Sequence, residues 1–126
     1  MDKTEMLKSG RDRLLRLHKY LVDHERAIHE GIHGKVTSGQ FLNLLIEDPA
    51  FAWLRKFSTL IVDIDEMFAQ KDGFSEEAVD THLTKMRALI LMDEDDEEFV
   101  AKYQAALQQD LDAAGEQGEL RRLLAE

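Results

Sequence analysis

Apolar residues recur at spacings of three and four through nearly the whole chain. That is the helical period, and it limits the folds open to the chain more than any other feature does. β-branched alternation is scarce and the only proline is Pro49. The 126 residues suffice for one core of ordinary size. The pattern predicts a single all-α domain over residues 1–126. Its expected architecture is an irregular antiparallel four-helix bundle with a short accessory helix and a short C-terminal helical tail.

Leu7, Leu14, Leu17, Leu21, Ile28 and Ile32 share one face of a first helix over about residues 4–32, which Gly31 and Gly34 close. Thr37 with Gln40 fits a capping box for a short helix at about 38–46. Asp48-Pro49 is the sharpest boundary, an N-cap followed by a proline suited to a first helical turn. The helix expected from there, about 49–70, is apolar over most of its circumference and should be the most buried. Ser75 is an N-cap for a helix at about 76–92, with His82 on its apolar stripe. Phe99, Val100, Tyr103, Leu107 and Leu111 define a last long helix at about 96–113, after which Gly115 and Gly118 leave a frayed tail.

The run from Asp48 to Arg55, continuing through Ser58, Leu60-Ile61-Val62 and Ile64-Asp65-Glu66, follows an upstream Leu17-His18-Lys19, Asp23 and Glu25-Arg26. Together these residues resemble a block carried by a group of small bacterial helical proteins with no established activity. The resemblance spans about the first half of the chain. It implies a bacterial cytoplasmic protein and assigns a role to no residue.

Charge and composition remove several function classes. The formal net charge is -10, which disfavours nucleic acid and anionic membranes as partners. The charge is uneven: residues 1–35 carry 8 Lys or Arg against 6 Asp or Glu, and the rest 8 against 20. With no cysteine, disulfides, thiolate metal sites and cysteine catalysis are excluded. The N-terminus lacks a basic region followed by an apolar stretch, and no apolar run approaches the length of a membrane span, so a cytoplasmic protein is expected. No serine sits in a Gly-x-Ser-x-Gly elbow, and no glycine-rich phosphate loop occurs. The acidic run Asp93–Glu98 lacks the glycine and terminal glutamate of a calcium loop and reads as a solvated helix start.

Three sets of residues remain as site candidates. His18, Glu25 and His29 fall on one shoulder of the first helix, and with Asp65 they offer imidazole and carboxylate ligands for a divalent metal. The chain does not carry the paired Glu-x-x-His motifs, one on each of two helices, of the di-metal bundle type. Asp65 lies on a largely apolar surface of its helix, so a polar tie through Arg26, Ser58 or His82 is its structural alternative. Phe51, Trp53 and Phe57 are either core anchors or an exposed aromatic surface for a partner or ligand. The leading functional reading is a non-enzymatic interaction or regulatory module, self-associating or binding another protein. A metal-binding bundle and a small-ligand-binding bundle are the alternatives.

Overall fold

In the computed structural model, which describes residues 1–93 and 95–125, local capping chemistry starts most helices where the sequence places it. The Asp2 carboxylate accepts the Glu5 N–H and opens α1 (Lys3–His33), which stops at Gly34 with φ 89°. The Thr37–Gln40 capping box forms in both directions and opens α2 (Ser38–Glu47). Asp48 accepts the Ala50 N–H. Residues Pro49–Leu54 then form a 3-10 stretch rather than the first turns of a long helix, and α3 (Arg55–Phe68) follows. The tighter winding turns Phe51, Trp53 and Leu54 all inward. Ser75 caps α4 (Glu76–Ile90) after a turn at Gly73, whose φ of 80° favours glycine.

Asp96, inside the acidic run, accepts the Phe99 N–H and opens α5 (Glu97–Gln109). Glu94 of that run lies outside the described residues. The C-terminal region departs from expectation. The last helix does not reach residue 113 and fray. It ends at Gln109, and Asp110 accepts the Ala113 N–H to start a full helix, α6 (Leu111–Leu124). Gly115 and Gly118 lie inside it. Each costs about 1 kcal/mol of helix propensity. Burial of Ala113, Leu120 and Leu124 against the bundle outweighs that cost.

The described residues contain six α-helices and no strand, and the fold is all-α. α1 contacts α3, α4 and α6, while α4 also contacts α3 and α6. The fourth member of this packed set is therefore α6, and not the helix that begins near residue 96. α5 instead rests on α6 and the 3-10 stretch, and α2 rests on the 3-10 stretch. The buried apolar residues form one cluster. At its α5 side Trp53, Phe57, Phe99 and Tyr103 pack ring against ring, with Phe57 and Tyr103 edge-on at 5.2 Å between centroids.

The apolar face of α1 is covered only in part. Leu7, Leu14, Leu17 and Leu21 are fully buried. Ile28 and Ile32, expected in the core by the same period, are 40% and 72% exposed. The helix runs past the elements that cover it.

Candidate interaction surface

The four residues proposed as metal ligands are dispersed by the fold. His18 lies against Phe57, with ring centroids 6.4 Å apart, and burial lowers its pKa from the ordinary 6.5. Glu25 is half-buried; desolvation raises its pKa, opposed by the nearby charges of His24 and Lys102. His29 packs against His33 in a tilted arrangement with ring centroids 4.7 Å apart and meets the rings of Phe41 and Phe51. Asp65 takes a bidentate ion pair from Arg11, whose Nε and Nη2 each lie 2.8 Å from a carboxylate oxygen. Among the described residues no three His, Asp or Glu side chains gather in a geometry that could hold a metal ion. Each of the four meets a different neighbour.

The polar tie through Asp65 is likewise different from expectation. Its partner is Arg11, at the surface, and not Arg26, Ser58 or His82. Arg26 donates to the Val36 carbonyl at 2.8 Å and stands 3.7 Å from the Glu30 carboxylate. The Ser58 hydroxyl donates to the Arg55 carbonyl in its own helix. His82 lies on α4 with its Nδ1 buried and without a hydrogen-bond partner among the described residues. Burial, helped by Lys85, lowers its pKa against the opposite pull of Asp63.

The aromatic surface is not a surface. Phe51 and Trp53 are 5% exposed and Phe57 is fully buried, so all three are core anchors. Their clustering follows from the 3-10 stretch turning inward onto α5.

The exposed apolar surface lies elsewhere. α2 carries five large apolar residues in ten, yet only Phe41 is buried. A helix that apolar around its circumference is normally covered on more than one side. Leu42 and Ile46, one turn apart, are 55% and 59% exposed. They form one wall of a groove of about 250 Å³ lined by His18, Leu42, Leu45, Ile46, Leu54, Arg55 and Ser58. The walls come from α1, α2 and α3. Arg55 fixes their spacing, because its Nε donates to the Leu45 carbonyl at 2.9 Å and its Nη2 to the Asp48 carbonyl at 3.2 Å. Those bonds tie the end of α2 to the start of α3.

Beyond the groove, the α1–α3 seam carries two more half-exposed apolar residues. Leu15 lies between Arg11 and His18 on α1, four residues after the first and three before the second. Val62 lies between Ser58 and Asp65 on α3 with the same spacing. Leu15 is 43% and Val62 52% exposed. Leu15 and Val62 therefore lie between the groove residues His18 and Ser58 and the Arg11–Asp65 ion pair. Sequence reasoning missed Leu15, Leu42, Ile46 and Val62. The signal that could have found them was the apolar excess of α2 over what one buried face needs.

A second, more open groove of about 510 Å³ runs between α3 and α4 and is walled by Lys56, Asp63 and Lys85 over Leu60 and Leu89. No helix among the described residues is long and apolar enough to cross a membrane. The chain matches no family model, no curated protein and no solved structure.

Proposed function

We propose that this protein is a non-enzymatic interaction module whose α1–α2–α3 groove receives one face of an amphipathic helix from a partner protein. The observation that carries the reading is the groove lined by half-exposed Leu42 and Ile46 with Leu45 and Leu54, together with half-exposed Leu15 and Val62 on the adjoining α1–α3 seam. Contiguous exposed apolar patches mark interaction sites, where scattered single residues do not. The groove volume of about 250 Å³ lies below the 300–1,000 Å³ typical of small-molecule pockets and suits inserted side chains.

The charge along the groove selects the partner. On α1, Lys8, Arg11, Lys19 and Arg26 fall within one sector of about 80° beside the groove, at 100° per residue. No Asp or Glu of α1 falls in that sector. Arg26 is part-buried and holds Val36 and Glu30, while Arg11 and Lys19 make surface ion pairs with Asp65 and Asp23. Such pairs exchange partners at little cost. An occupant with an acidic edge along α1 and an apolar face in the groove fits both features. Completing the burial of four half-exposed side chains contributes about 1 kcal/mol each before the partner's own side chains are counted. Set against the cost of association, that favours a transient complex.

The test is a titration of the full chain with a capped helical peptide of about five turns, apolar on one face and carrying Glu along one flank. The reading predicts methyl resonance shifts centred on Leu15, Leu42, Ile46 and Val62, weaker with Lys on that flank and lost in Ile46→Glu. Shifts that are absent, or that centre on the α3–α4 groove, contradict it.

A further inference from the structure

Helix α1 is longer than the helix that covers its buried side. α6 runs antiparallel along it, with Leu123 near Gly10, Glu116 paired to Arg13, and Asp110 3.6 Å from His24. The series Gly10, Leu14, Leu17, Leu21 and His24 follows that side in alternating steps of four and three. The same series continues to Ile28 and Gly31, with Ala27 and Ile32 on its flanks. By then α6 has ended its cover, since its first residue is Leu111. Ile28 is 40%, Ile32 72% and Leu111 90% exposed. The opposite side of this segment is occupied, because His29 lies against Phe41 and Phe51. The result is a two-turn helical strip, Ala27, Ile28, Gly31 and Ile32, with no charge on it and no helix over it.

We propose that a second copy of this chain covers the strip, the two α1 ends pairing antiparallel about a twofold axis. The strip is complementary to itself. A register that sets Ile28 of one protomer against Gly31 of its partner also sets Ile32 against Ala27. Each large side chain then meets a small one, and the symmetry repeats both contacts. Gly31 has open space where a side chain would stand, with nothing within 4 Å of an added Cβ. The same register brings the end of one α1, with Lys35 two residues beyond it, toward the partner's His24 and the α6 N-terminus that holds Asp110 and Asp112. Lys35 and Asp112 have no ion pair of their own among the described residues. The negative C-terminal end of one α1 then faces the positive N-terminal end of the partner's α6, where the two dipoles attract.

The overlapping helix ends are about 15 Å long, from roughly ten residues at 1.5 Å each. That is small beside the ~1,600 Å² of a standard interface, so the dimer is weak. This surface is separate from the groove, and the two stand or fall independently.

Sedimentation velocity of the full chain from about 5 µM to about 500 µM tests it. The wild type should pass from monomer to dimer across that range. Ile28→Glu with Ile32→Glu should remain monomeric throughout, with an unchanged helical spectrum, because both positions are exposed. Gly31→Leu fills the hollow and should weaken the dimer at least about tenfold. Lys35→Glu should weaken it several-fold, and Asp112→Lys in the same chain should restore it. Ile46→Glu, in the groove, should leave it intact. A wild type that stays monomeric at the highest concentration overturns the proposal. So does a dimer that survives the Ile28→Glu, Ile32→Glu pair, or one abolished by Ile46→Glu.

Discussion

Gly10 in α1 and Gly115 and Gly118 in α6 meet opposite surroundings, and exchanging each for alanine tests the packing of both helices directly. A Cβ on Gly10 would stand 2.7 Å from Met86 Sδ and 3.3 Å from Met86 Cε. Ordinary contact is about 3.5–4.0 Å, so Met86 or α4 must retreat by about 1 Å. Met86 is fully buried and has no solvent to retreat into. Overpacking of this kind costs about 1–3 kcal/mol. The gain in helix propensity returns about 1 kcal/mol, leaving Gly10→Ala destabilising by about 0–2 kcal/mol. At Gly115 and Gly118 nothing lies within 4 Å of an added Cβ. Those substitutions keep only the propensity gain and should stabilise by about 1 kcal/mol each. Since all three are the same chemical change, effects on the unfolded chain largely cancel in the comparison. Urea unfolding followed by far-UV circular dichroism reads the difference, expected at about 1–3 kcal/mol between Gly10→Ala and Gly118→Ala. A Gly10→Ala protein as stable as Gly118→Ala would refute the close approach of α4 to α1. A destabilised Gly118→Ala would refute α6 as a continuous helix.

Further expectations concern caps, ties and pH. Asp110→Ala removes the acceptor for the Ala113 N–H and should cost about 1 kcal/mol, read by the same unfolding assay. Arg55→Ala leaves the Leu45 and Asp48 carbonyls without their guanidinium and should loosen α2, so limited proteolysis should cut first between residues 34 and 48. The Arg11–Asp65 pair is bidentate but its carboxylate side is 47% exposed, so screening should hold its coupling in a double-mutant cycle to about 0.5–1 kcal/mol, falling with salt. His18 has a lowered pKa, so the unfolded chain binds the proton first as pH falls below 6.5. Stability should therefore drop from that value down to the depressed folded pKa and then level off. His18→Phe should flatten that part of the pH profile, and an unchanged slope would remove His18 as its source.

What was legible in the sequence was the chemistry that acts locally. Thr37 with Gln40, Asp48 with Pro49, and Ser75 each set a helix start through bonds spanning two or three residues, so a linear reading finds them. Asp110 works the same way but sits inside a run whose apolar spacing continues across it, and the two glycines beyond it suggest an end rather than a helix. Only the packing of Leu120 and Leu124 on the bundle decides that case. Asp65 and Arg11 are 54 residues apart and meet because α1 and α3 lie side by side, which no helical wheel contains. Ile28 and Ile32 obey the core period of α1, but the period does not say where the covering helix stops. The candidate groove was the least visible feature. It depends on α2 folding onto the 3-10 stretch with Leu42 and Ile46 turned outward, and the conspicuous aromatics of that region went into the core instead.

The central claim is that the α1–α2–α3 groove receives a partner's helix. Photo-cross-linking in the host cell tests it most directly, with a benzophenone side chain placed at Leu42, at Val62, or at the exposed α4 control Thr84. One shared cross-linked protein is expected from Leu42 and Val62, absent from Thr84 and lost with Ile46→Glu. The attachment point should lie in an amphipathic helix with an acidic edge. No cross-link from the two groove positions, or the same product from all three, would contradict it.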